Sequence, residues 1–208
     1  MTLEKVTSLQ VAKKAGVSQS AVSRVFTPGA SASKGTSERV RKAANDLGYR
    51  PNVLARAMVS GKSRMIGLVV AYLDNLFYPN ALEKLSNQLK EKGYHVLIFM
   101  ASQTAGNIDE VLHEIMGYQV DGIVLASVAM SSDLASECQK AGVPVVLFNR
   151  SQDDDRLSSV GSNNVSGGRK IADFLIAGGH KKIAHIAGWE GASTQRDRET
   201  GFLSGLHS

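Results

Sequence analysis

Residues 9–26 read LQVAKKAGVSQSAVSRVF, and the spacing inside this stretch decides how the amino-terminal part folds. Thr7 with Gln10 three residues on fits a capping box, and Leu9, Val11, Ala12 and Ala15 supply apolar contacts for a first helix that ends at Gly16. Gly16 makes the turn. Ser18 then stands as the N-cap of a second helix, Gln19 to Phe26, which the Pro28-Gly29 pair stops. Two short helices joined by a tight glycine-containing turn make a helix-turn-helix.

On the second helix Val22, Val25 and Phe26 point to a core, while Gln19, Ser20, Ser23 and Arg24 fall on the opposite side. Glutamine can pair with an adenine edge in bidentate fashion, arginine with a guanine edge, and serine can reach phosphates or bases. Which base each one reads is left open. A third helix is expected from Lys34 to Leu47, with Val40, Ala43, Ala44 and Leu47 inward and Gly48 just past its end. Charge agrees with a polyanionic partner. Residues 1–64 hold 12 Lys and Arg against 3 Asp and Glu, a net of +9, whereas the remaining 144 residues hold 12 against 16, a net of −4. Turn chemistry, caps and charge all point the same way, which outweighs a plain helical bundle with a solvated polar face.

Beyond Leu47 the texture changes. Tyr49 to Asn52 break the helical pattern, Val53 to Val59 make another short helical stretch, and Ser60 to Ser63 mark a boundary. The division expected is 1–50 for a DNA-binding head, 51–64 for a hinge helix and linker, and 65–208 for part of a second domain. In that domain apolar strands near Met65 to Ala71, Tyr94 to Met100, Gly122 to Ala126, Val143 to Phe148 and Lys182 to Ile186 alternate with amphipathic helices. The helices lie near Asn80 to Lys92, Ile108 to Gly117, Ser132 to Ala141 and Ser166 to Ala177. Such alternation is the mark of an α/β domain with a parallel sheet covered on both faces.

Open parallel sheets bind ligands beyond the carboxyl ends of their strands. Four positions stand out there: Asp74 to Tyr78 after the first strand, Ser127 after the third, Asn149-Arg150 after the fourth, and Ser193 to Arg198 after the last. Aromatic faces stack on a sugar or base, and amide and guanidinium groups bond hydroxyls or carboxylates. A small polar ligand suits such a set.

Other classes find little support. No phosphate-cradling G-x-x-x-x-G-K-[ST], no G-x-G-x-x-G after the first strand and no G-x-S-x-G elbow occurs, so an enzyme is not expected. The five histidines and Cys138 lack metal-ligand spacing, and neither metal nor cofactor is expected. His180 reads as a turn histidine and Asp153 to Asp155 as a solvated loop. The single cysteine makes no internal disulfide, Met1 to Leu9 lacks a secretory pattern, and the apolar runs are too short to cross a bilayer. A cytoplasmic protein with no membrane partner is expected. A free-standing solute receptor would account for the α/β part but would leave the basic head without a purpose.

The same residues carry a family resemblance. VAKKAGVSQSAVSRV (11–25), ERVRKAANDLGYRPN (38–52) and LARAM (54–58) resemble the head and hinge of the LacI/GalR family of transcription regulators. The resemblance implies base reading by Gln19, Ser20 and Arg24, with Ser18 and Ser23 near phosphates and Thr7 and Asn52 also on the DNA. It makes 53–59 a hinge helix that orders when two subunits meet on a palindromic operator. Ala55 would then allow close approach, and Met58 would stand where the family has an intercalating leucine.

IGLVV (66–70), DNLFY (74–78), DGIVL (121–125), GVPVV (142–146), GGHKKIAHIAG (178–188) and STQRDRETGF (193–202) look like the family's periplasmic-binding-protein-like core. The implied effector residues are Phe77, Ser127, Asn149 and Arg198. Asn149 stands where sugar-binding members often have aspartate, and Leu76 departs from the frequent Asn-Pro-Phe-Tyr. The whole implies a homodimeric regulator, a repressor, controlled by a small polar effector such as a sugar or sugar acid. The sensor is expected to be incomplete and C-terminally truncated, with one lobe and part of a second, marginally stable outside the head.

Overall fold

The computed structural model describes residues 6–27, 29–51, 61–71, 73–101 and 107–207. The chain divides into two compact units, Met1–Ser60 and Gly61–Ser208.

The first unit is built on helices α1 (Ser8–Ala15), α2 (Gln19–Phe26) and α3 (Lys34–Leu47). Each opens on a hydroxyl cap: Thr7 accepts from the Gln10 amide, Ser18 from that of Ala21 and Ser33 from that of Thr36. At α1 the box is reciprocal, because the Thr7 amide donates to Gln10 Oε1 at 2.7 Å. Gly16 closes α1 with φ of 65°, a conformation that a side chain would strain. Helices of this length are marginal alone, so packing must hold them. Val11, Ala12, Val22, Val40, Ala43 and Ala44 supply the buried core, with Phe26, Leu47 and Tyr49 around it. The alanines let the three helices approach closely.

Leu9 is a correction. Expected inside, it is 63% exposed, because it lies roughly 110° around the helix from the centre of the Val11, Ala12 and Ala15 stripe. Pro28 lies outside the described residues.

The second unit runs β1 (Met65–Val70), α4 (Phe77–Glu91), β2 (His95–Met100), α5 (Asn107–Gly117), β3 (Gly122–Ala126), α6 (Ser132–Lys140), β4 (Val145–Phe148), β5 (Ser158–Val160), α7 (Asn164–Ala177) and α8 (Ser193–Leu206). The strands form one sheet in the order β2-β1-β3-β4-β5, every pairing parallel. Strand order reverses between β1 and β3, so the crevice of the fold opens at their carboxyl ends. Both faces are covered. Val69, Ile123, Leu125 and Leu147 pack with Leu112 and Ile115 of α5 and with Leu134 and Cys138 of α6, while Leu68, Val70 and Ala126 pack with Tyr78 and Leu82 of α4.

Four departures from expectation concern this unit. Helix α4 begins at Phe77 and not near Asn80, bringing Phe77 and Tyr78 onto its first turn. Lys182 to Ile186, expected as a strand, takes no sheet pairing among the described residues, and Ile186 is 96% exposed. An apolar run becomes a strand only beside a partner that takes its amides and carbonyls, and among the described residues none lies there. Ser158–Val160 does pair with β4, although its polar sequence gave no alternation to read. Ser193 to Arg198, placed from sequence just past a last strand, instead opens helix α8.

The α7 and α8 pair meets through glycines. A Cβ on Gly201 would collide with the Val165 carbonyl, and one on Gly168 with the Arg198 carbonyl, so the two backbones approach as only glycine permits.

Candidate functional site

Two surfaces carry the sequence-predicted residues. In the first unit, Val22 and Val25 turn inward, which leaves Gln19, Ser20, Ser23 and Arg24 exposed together along the other side of α2. Gln19 Nε2 donates to Ser8 Oγ at 2.8 Å, and the Ser18 and Ser20 hydroxyls are 3.0 Å apart. These contacts organise the face while leaving acceptors and donors open to a partner.

Arg24 also lines a shallow recess of about 380 Å³ with Ser37 and Arg41, and the Arg41 guanidinium sits 5.9 Å from the Phe26 ring centre. Two guanidinium groups and a hydroxyl around one concavity suit a phosphate. Thr7 is occupied differently: its hydroxyl accepts from the Gln10 amide at 3.4 Å and lies 3.2 Å from Gln10 Oε1. Asn52, Ala55 and Met58, with the rest of the expected hinge helix, lie outside the described residues.

In the second unit a cleft of about 780 Å³ opens at the carboxyl ends of β1, β3 and β4 and is bounded on another side by residues 188–198. Ser127, Asn149 and Arg198 line it. Ser127 and Asn149 end adjacent strands in left-handed backbone conformations, φ 64° and 58°. Each is held there by the sheet, since the Ser127 amide donates to the Phe148 carbonyl at 3.1 Å and that of Asn149 to the Val160 carbonyl at 2.8 Å. Non-glycine residues in that region store about 1–3 kcal/mol, which the surrounding pairings must offset.

Asn149 Nδ2 donates to Tyr78 Oη at 2.9 Å, fixing the amide against the buried start of α4. Arg198 Nε donates to Asn164 Oδ1 at 2.9 Å, which ties α8 to α7. Phe77 is not brought to this cleft. Its ring stacks on Phe148 at 5.9 Å and meets Tyr78 edge-on at 5.2 Å, outside the lining.

The structure adds wall residues beyond the four implied effector positions. Arg150 reaches back to Ser127, donating from Nε to the carbonyl oxygen at 3.3 Å and from Nη2 to Oγ at 3.4 Å, and its guanidinium lies 5.8 Å from the Trp189 ring centre. Trp189 is the chain's only tryptophan, set between Gly188 and Gly191, and that placement in a glycine-framed loop was the signal available. Asn75, Tyr78, Thr194 and Gln195, all inside stretches singled out from sequence, also face the cleft. Nearby, Arg156 forks onto Asp154 and holds its carboxyl at about 2, which fixes the turn between β4 and β5.

Among the described residues no cluster of three or more His, Cys, Asp or Glu is placed to hold a metal ion, and no helix is long and apolar enough to cross a membrane.

Comparison with known proteins gives two family matches: "Bacterial regulatory proteins, lacI family" over residues 9–52, and "Periplasmic binding proteins and sugar binding domain of LacI family" over residues 63–208. The maltose regulon regulatory protein MalI of Escherichia coli (strain K12) is 31% identical over 206 residues, covering 99% of this chain and 60% of that protein. The sucrose operon repressor of Streptococcus mutans is 32% identical over 195 residues, covering 93% of this chain and 60% of that protein. Among solved structures, the Lac repressor dimer bound to operator and the anti-inducer ONPF superposes with a TM-score of 0.84 at 26% identity, covering 98% of this chain and 62% of that one. The chain thus spans about 60% of the length of the curated relatives it matches.

Proposed function

The chain belongs to the LacI family of bacterial regulatory proteins, and from that premise we propose that it is a sequence-specific DNA-binding transcription regulator, a repressor and not an enzyme. The observation that carries this reading is the exposed row of Gln19, Ser20, Ser23 and Arg24 on α2, backed by a closed core. In the mechanism proposed, two subunits in the cytoplasm set paired α2 helices into successive major grooves of a palindromic operator. Residues 51–64 act as hinge and linker between a head of residues 1–50 and a sensor of 65–208. Met58 then acts as a wedge in the minor groove between the paired heads, with Ala55 allowing the close approach.

A small polar effector, a sugar or sugar acid, binds the cleft lined by Ser127, Asn149 and Arg198 and shifts whether the hinges order together. Names of relatives that mention maltose and sucrose support a sugar-related effector.

Duplex binding measured against salt tests the first half, with operators selected from a random pool. Log affinity should fall with log salt by several units of slope, as counterions leave. Arg24→Ala should weaken binding by about 1–3 kcal/mol at one operator position and relax specificity there. A flat salt response, or an Arg24→Ala protein that discriminates as well as the parent, overturns the reading.

A further inference from the structure

One donor in the cleft wall of the second unit is orphaned. Arg150 gives Nε and Nη2 to Ser127, but its Nη1 is closed off from solvent with no hydrogen-bond partner among the described residues. A charged donor buried without an acceptor is unfavourable, and the favourable remedy is an anionic acceptor. A second feature points to the same chemistry. Helix α8 starts at Ser193 behind Ala192, and no side chain caps it. The amides of such a first turn and the helix dipole together favour negative charge.

The two features are joined covalently and by contact. Ser193 Oγ accepts from the Ser151 amide at 3.0 Å, which pins the start of α8 to the residue following Arg150. Arg150, Thr194 and Gln195 all line the cleft. Arg198 adds a second guanidinium to that lining, against one carboxylate, Asp109. A neutral polyol would meet the hydroxyl-bonding groups but would leave this positive balance unanswered.

We propose that the effector carries an anionic group, a carboxylate or a phosphate monoester, bound by the Arg150 guanidinium and the amino terminus of α8. This rests on the reading of the cleft as the effector site. The indole of Trp189 lies beside the same guanidinium and is 70% exposed, so an anion that reaches Nη1 re-seats the ring. Because the chain has one tryptophan, its fluorescence reports the event.

The test titrates the whole chain with matched trios, each a neutral hexose, the corresponding sugar acid and the corresponding sugar phosphate, reading Trp189 emission. One anionic member should bind at least about tenfold tighter than its neutral parent, and the better of the two identifies the group as carboxylate or phosphate. Arg150→Gln should erase that preference, Arg150→Lys should keep part of it, and inorganic phosphate should compete when the phosphate arm wins. A neutral hexose that binds as tightly as its anions overturns the proposal while leaving the cleft as the effector site. An unchanged preference in Arg150→Gln, with the far-ultraviolet circular dichroism of the parent, overturns it too. If no member of any trio moves the emission or the melting of the folded chain, both the proposal and the effector-site reading fall.

Discussion

The three-helix head and the α7–α8 end of the second unit are both built by packing helices on helices, but they present opposite surfaces. In the head, Val11, Val22 and Val40 are sealed inside and each helix begins on its own hydroxyl cap. On α7 and the chain after it, Ile171, Phe174, Ile176, Ile186 and Trp189 all stand exposed, Phe174 at 77%. Local signals are sufficient to close a small core when the three stripes that need covering lie within forty residues of one another. The second pair is closed differently: α7 and α8 are held to each other by a close glycine-lined backbone contact, and among the described residues the outward side of α7 keeps Ile171, Phe174 and Ile176 exposed. The stability of the head should therefore be spread over many small terms, and that of the helix pair concentrated in a few.

The strongest way to break this comparison is Gly201→Val. A branched side chain at that position meets the Val165 carbonyl, and rigid backbone on both sides leaves no way to yield. A loss of roughly 3 kcal/mol or more is expected, at the upper end for overpacking. Urea unfolding followed by Trp189 emission should shift to much lower denaturant, while the head, free of tryptophan, keeps its own transition in circular dichroism. A parental midpoint for the Gly201→Val emission curve would show that the glycine contact does not hold the pair.

Next in size is Val40→Ala. Val40 is fully buried where α3 meets α1 and α2, and truncation removes two methyl groups from a small core. A loss of about 2 kcal/mol is expected, confined to the head. The emission-detected transition of the second unit should not move, and a shift there would mean that the two units do not melt independently.

Legibility in the sequence divides along the same line. The three head helices, their caps and the inward positions were readable because hydroxyl, glycine and apolar spacing act within one or two turns. Leu9 was misplaced only because it was counted with the stripe without regard to its angle. Four of the five sheet strands were readable as apolar runs, and β5 was not, since Ser158–Val160 borrows its order from β4. Lys182 to Ile186 shows the converse, an apolar run read as a strand with no neighbour to pair among the described residues. Within the cleft, Ser127 and Asn149 are legible because a parallel sheet gathers the residues just past its strand ends, whereas Arg198 reaches it from helix α8, and Phe77, which the family resemblance implies, lies outside while Tyr78 beside it lines the wall. Trp189 and its pairing with Arg150 needed the fold, because their meeting depends on β4 and the chain before α8 coming together across nearly forty residues.

The smallest effect separates two roles of one residue. Thr7 was expected on the DNA, yet its hydroxyl and amide are both engaged with Gln10 in the box that starts α1. Thr7→Ala should lower head stability by about 1 kcal/mol, and Thr7→Ser should restore most of it, since serine caps as well. Operator affinity, measured well below the melting range, should fall much less for Thr7→Ala than for Arg24→Ala, because a capping hydroxyl held by Gln10 has little left to offer a phosphate. A Thr7→Ala head that melts like the parent but loses affinity as Arg24→Ala does would reverse the assignment, making Thr7 a DNA contact and leaving Gln10 without a structural partner. It would also narrow the comparison, for the head would then draw even less of its stability from any single cap than the helix pair draws from one glycine.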